Sequence, residues 1–150
     1  MELLLVLLLL KSRYFKFALF SSFFISSNPL LVQLNVPVEF SKVTAANVSD
    51  YGKQIMQSIN KDIEAIKAQK TISFASVFEA FDVSYNKLNT ASNTCYMLYW
   101  VSPDSLIRAN GLNSYQQLDS QSTAIFSDKE LFSKMLSFKS TADYKELTGH

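Results

Sequence analysis

Few side chains in this 150-residue sequence are suited to chemistry, and they are scattered. His150 and Cys95 are its only imidazole and thiol. A protein-bound zinc needs three or four such ligands, so a His-x-x-x-His pair and a cysteine cluster are both excluded. A single Cys also excludes an intrachain disulfide. Cys95 falls on an apolar helical stripe and reads as a small buried hydrophobe, not a nucleophile. His150 reads as a terminal, exposed residue without partner ligands. Glu79 and Asp82, three apart, place two carboxylates on one helix face, as carboxylate metal sites do. With no His near them they read as a solvated face. Tyr96, Tyr99 and Trp100 are of the type that lines a peptide channel, but aromatic packing at a helix end is the simpler reading. Asn47-Val48-Ser49 is a glycosylation triplet that matters only in a secretory lumen. The residues themselves therefore assign no catalytic, metal-ligating or substrate-binding position.

The elements that must carry these residues divide at residue 27. Residues 1–27 form an apolar leader or targeting segment: Leu3–Leu10 is unbroken, Lys11, Arg13 and Lys16 follow, and Phe17–Ile25 is a second apolar run. Neither run reaches the ~20 apolar residues of a membrane-spanning helix, and one span through both would bury three cations at mid-bilayer. The order of basic cluster, apolar stretch and small residues Ser26 and Ser27 matches a signal-like leader. A membrane-associated anchor or a misplaced start are the other readings. The location is then secretory or organellar if the leader is a targeting signal, and cytoplasmic otherwise. Without this segment 11 basic and 12 acidic groups remain, a net charge of −1. Such a body has no basic footprint for nucleic acid.

Residues 28–150 read as all-α: an extended arm followed by about four helices. Three glycines in the whole chain argue against a hairpin-rich sandwich or barrel. Pro29 and Pro37 make Asn28 to Ser41 an extended arm, with Leu30, Leu31, Val32, Val36, Val38 and Phe40 as anchors. Val48, Tyr51, Ile55, Ile59, Ile63 and Ile66 share one face of a first helix, capped by Asn47 or Ser49. A second helix, Ser73 to Tyr99, carries the stripe Phe74, Val77/Phe78, Phe81, Tyr85, Leu88, Ser92, Cys95 and Leu98/Tyr99. Ser102-Pro103-Asp104 reads as cap, first helical residue and first-turn acid of a third helix. That helix buries Leu106, Ile107, Ala109, Leu112, Tyr115, Leu118, Ser122 and Ile125, with a bend or break at Asn110-Gly111. Ser127-Asp128-Lys129-Glu130 reads as a capping box for a fourth, burying Leu131, Phe132, Met135, Leu136 and Phe138. Thr141 to His150 resembles the start of a further helix.

The order of these features resembles the N-terminal region of the thimet oligopeptidase family of zinc metallopeptidases, which includes oligopeptidase A and the peptidyl-dipeptidases. Asn28-Pro29-Leu30-Leu31 matches the family's opening arm. Ser73-Phe74 keeps the start of its Thr-Phe-x-Asn-Thr motif, while Ala75, Ser76 and Val77 depart from the rest. Asp128 replaces the asparagine of its Asn-x-x-Leu-Phe element, and Leu131 and Phe132 match. The likeness spans about residues 28–147 and has the character of a divergent member.

The resemblance implies the non-catalytic helical part of a zinc-dependent oligopeptidase, covering one side of a channel that admits short peptides. The family's His-Glu-x-x-His motif and downstream Glu, which hold zinc and activate its water, do not occur here. Zinc would thus belong to a longer C-terminal portion, the 150-residue length reads as a truncation, and the chain alone would be inactive. A truncated piece exposes apolar surface and self-associates. The alternatives are a helical interaction module with membrane association through residues 1–27, or a degenerate pseudo-peptidase without catalysis.

Overall fold

The computed structural model of the protein describes residues 28–31 and 36–148. The leader, Val32 and His150 lie outside them. Five α-helices follow in order: α1 (Ala45–Lys67), α2 (Ala80–Val101), α3 (Ser105–Phe126), α4 (Lys129–Ser137) and α5 (Ala142–Thr148). A wide π turn, Ala75–Glu79, leads into α2, and short 3-10 turns span Phe40–Lys42 and Phe138–Ser140. Among the described residues there is no strand, so the all-α expectation holds. α1, α2 and α3 pack against one another to form the bundle, and α4 adds to α1 and the π turn.

The first helix follows its sequence pattern. Val48, Tyr51, Ile55, Ile59, Ile63 and Ile66 are all buried, and they form one wall of the core. Its cap differs from expectation. Thr44 is the N-cap: its hydroxyl accepts the Asn47 N–H at 3.2 Å, and Asn47 Oδ1 accepts the Thr44 N–H at 3.0 Å. Asn47 thus fills the third helical position of a reciprocal cap, a role usually given to Glu or Gln. Asn28 is buried and locks the arm to this end: its Nδ2 donates to the Asn47 carbonyl at 2.8 Å and to Asp50 Oδ2 at 3.2 Å. Leu30 follows it into the core, with Leu31 and Val38 packed beside it. Val36 and Phe40, expected as anchors, are exposed instead.

The later caps each move by a residue or two. Asp104, not Ser102, caps α3, accepting the Leu106 N–H at 2.7 Å; Ser102 ends α2. Asp128, not Ser127, caps α4, accepting the Glu130 and Leu131 N–H groups at 2.9 and 3.0 Å. A carboxylate two or three residues before a free N–H is the stronger acceptor, which decides the contest in both places. Ser73 and Ser76 do form a reciprocal cap, Ser76 Oγ accepting the Ser73 N–H at 2.9 Å and Ser73 Oγ the Ser76 N–H at 3.1 Å.

The α2 and α3 stripes are displaced toward small residues. In α2 the buried positions are Ser84, Leu88, Ala91, Cys95 and Leu98, while Phe74 is exposed and Phe81 and Tyr85 are half-buried. In α3 they are Ile107, Gly111, Ser114, Leu118 and Ile125, while Leu106 and Ala109 are exposed. In α4 only Leu131 is buried; Phe132 and Leu136 face solvent. The cause lies at Gly111. A Cβ there would sit 2.8 Å from the Cys95 carbonyl oxygen and 2.9 Å from the Tyr99 nitrogen, so α2 and α3 meet backbone to backbone. α3 runs unbroken through Asn110-Gly111, and the expected break is instead this contact. Gly52 of α1 approaches α3 similarly, its missing Cβ 3.0 Å from Ser114 Cβ.

Alanine at an open helical position would favour the helix over glycine. At Gly111 the backbone contact reverses the sign, and G111A should lower the unfolding free energy by about 1–3 kcal/mol. Urea unfolding followed by far-UV circular dichroism measures this; equal or greater stability would contradict the close approach.

Candidate functional site

The residues singled out for chemistry do not come together. His150 lies outside the described residues. Cys95 is fully buried on α2, against the α3 contact at Gly111. Burial pushes its thiol up to about 12, the opposite of the depressed value a nucleophilic cysteine needs. Burial, and then the neighbouring Cys95, also raises the Tyr51 phenol on α1. Glu79 and Asp82 share an open depression of about 660 Å³ with Phe74, Phe78, Phe81 and Val83. Asp82 accepts from Asn86 Nδ2 at 3.1 Å. Among the described residues no group of three or more His, Cys, Asp or Glu side chains is placed to hold a metal ion. The sequon's Asn47 serves the α1 cap and its Val48 is fully buried.

The aromatic residues are the ones the fold does assemble. Tyr96 lies 4.8 Å from Tyr115 of α3 between ring centroids, and Trp100 lies 5.0 Å from Tyr99. They pack on one another at the end of α2, yet Trp100 remains 63% exposed. Helix-end packing therefore accounts for only part of their surface. A second aromatic set gathers Phe74, Phe78, Phe138 and Tyr144 near α4 and α5, and a third joins Phe81, Tyr85 and Phe126.

Two polar clusters escape a one-dimensional reading. Lys87 of α2 donates to Asp62 at 2.7 Å and to Ser58 at 3.0 Å, both on α1. The Ser–Lys pairing is of a type that can be nucleophilic, but here Lys87 donates to both Ser58 and Asp62 and ties two helices together. The spacing of Ser58 and Asp62, one turn apart, was the available signal. Lys67, at the end of α1, contacts Glu64 at 2.6 Å, Asp128 at 3.1 Å and Glu130 at 3.5 Å. The Glu64 and Asp128 hydrogen bonds raise its ammonium above the ordinary lysine range. The Leu131 N–H, then Lys67, holds Asp128 below the usual carboxylate range. This cluster fixes α4 to the end of α1.

An apolar groove of about 540 Å³ lies between the arm and the bundle, with Leu30, Leu31, Tyr51, Ile55, Val83 and Lys87 among its walls. It holds no titratable pair suited to catalysis. Among the described residues no helix is long and apolar enough to cross a membrane. Compared with protein-family models, curated proteins and solved structures, the chain has no match.

Two measurements check this chemistry. Cys95 should resist iodoacetamide in the native protein at pH 8 and react on unfolding in urea; rapid native alkylation would contradict its burial. Asp128 has a depressed folded value, so its stabilisation is full above the ordinary carboxylate pKa of about 4 and fades as pH falls through the lower folded value. D128A should cost about 1 kcal/mol at pH 7 through the lost cap, and D128N, which still caps, should cost less. Equal losses in urea unfolding would contradict the cap.

Proposed function

We propose that residues 28–150 are the non-catalytic helical part of a zinc-dependent oligopeptidase of the thimet oligopeptidase type, covering one side of a channel for short peptides. The observation that carries this reading is where the resembling residues fall. Asn28-Pro29-Leu30-Leu31 seats the chain on α1, with Asn28 and Leu30 buried. Ser73-Phe74 opens the helical run that becomes α2, through the reciprocal serine cap. Asp128 caps α4, with Leu131 buried and Phe132 exposed. Each motif thus marks an element boundary, where a family would retain it while helix faces diverge. The exposed apolar residues Phe126, Phe132 and Leu136 are further support, being surface that a catalytic portion would cover. In this reading the described residues bind no zinc; the metal and its activated water belong to the catalytic portion, and this part limits what reaches them.

Sequencing transcripts through the His150 codon tests the proposal. The expected result is a frame continuing into a His-Glu-x-x-His region followed by a further Glu. Transcripts that stop at His150, from a locus with no such region nearby, would overturn it.

A further inference from the structure

The end of the bundle at the α2–α3 turn combines exposed apolar side chains with charges that are already engaged. Trp100 and Val101 close α2 at 63% and 66% exposed, Leu106 opens α3 at 65%, and Tyr96 and Met97 lie one turn below. No charged residue occurs between Lys87 and Asp104, nor between Arg108 and Asp119. The two charges at the turn are hydrogen-bonded to backbone, Arg108 half-buried and Asp104 exposed. Arg108 Nη1 donates to the Ser102 and Pro103 carbonyls at 2.8 and 2.9 Å, and Asp104 accepts from the Leu106 N–H. The opposite end differs: its exposed Phe126 and Phe132 sit beside the Lys67, Asp128 and Glu130 cluster.

We infer that the α2–α3 turn is a membrane-contacting tip that seats in the interface of a neutral phospholipid bilayer. Trp and Tyr favour that zone, where an apolar ring and a polar edge are both satisfied. The cation at the turn, Arg108, is engaged by backbone carbonyls, so the turn itself gives no electrostatic reason to prefer anionic lipid. The place where the chain enters the described fold points the same way. Asn28 is bound on the first turns of α1. Ser114 against Val48 and Gly52 sets those turns beside the first half of α3, so the entry lies at the same end as the tip. The sequence before Asn28 carries the apolar runs Leu3–Leu10 and Phe17–Ile25. The inference does not rest on the peptidase reading.

Trp100 is the protein's single tryptophan, so its fluorescence reports on the tip alone. The full chain is mixed with phosphatidylcholine vesicles with and without brominated acyl chains. The expected result is a blue shift of Trp100 and its quenching by the brominated lipid. Replacing the exposed pair, V101E with L106E, should lower vesicle partitioning about tenfold or more, with an unchanged far-UV spectrum. Three outcomes would overturn the inference: no binding, vesicle binding with Trp100 neither shifted nor quenched, or a concentration-dependent blue shift without lipid that vesicles do not alter. The second would assign binding to residues 1–27, and the third would assign the tip to a second copy of the chain.

Discussion

The backbone contact between α2 and α3 at Gly111 is the constraint on which the rest depends. Two helices normally pack 8–10 Å apart, with side chains filling the gap. Here Gly111 brings α3 against the Cys95 carbonyl and the Tyr99 nitrogen, leaving no room even for a methyl group. Gly52 and Ser114 allow α1 to approach the same stretch of α3. With the backbones this close, Ser84, Ala91, Cys95 and Ser114 become the interior residues. Their hydroxyls need partners there, and they find them on the helices: Ser84 Oγ donates to the Ala80 carbonyl at 2.9 Å, and Ser114 Oγ to the Val48 carbonyl at 3.4 Å.

This explains which parts of the fold were legible in the sequence. α1 was legible because its buried face is made of Val, Tyr and Ile at helical spacing, so hydrophobicity and burial coincide. α2 and α3 were legible as helices and in part in their facing: Leu88, Cys95 and Leu98, and Ile107, Leu118 and Ile125, are buried as the stripes implied, while the small residues between them were not foreseen. A search for apolar stripes selects Phe74, Phe81, Tyr85 and Leu106, whereas close packing selects for small size. Gly111 had a visible signal, a glycine inside a helical pattern, but propensity alone interprets it as a break. The Asp caps at positions 104 and 128 were one or two residues from the expected serines, because Ser102-Pro103 beside the first and Ser127 beside the second offered competing signals. The polar ties of Lys87 and Lys67 were barely legible: Ser58 and Asp62 lie one turn apart, but their partners depend on which helices become neighbours.

For chemistry, the sequence was informative chiefly through its composition. Cys95 was read as a small hydrophobe, and its burial against a helix contact agrees. The Glu79 and Asp82 pair does sit on an accessible face, over an open depression with aromatic walls. The resemblance to a peptidase's helical region rests on boundary residues, and those residues do perform boundary work: a buried Asn28 holding the arm, a serine pair starting α2 and Asp128 starting α4.

Close packing on small residues also has a consequence for the surface. Aromatic side chains that do not fit between the helices must collect at the rims and ends of the bundle, and each collection needs either water or a partner. Charge separates the two ends. Around Phe126 and Phe132, Lys67, Asp128 and Glu130 keep polar groups at hand, and their mutual contacts already bind α4 to the bundle. Around Trp100 and Leu106, Asp104 and Arg108 are hydrogen-bonded to the backbone of the turn. Ions bonded to backbone lose less on leaving bulk water than free ions, which carry a desolvation penalty of several kcal/mol each. The same cap that starts α3 therefore also engages the charge at its end. Helix termination and surface chemistry are here two results of one set of hydrogen bonds, those of Asp104 and Arg108.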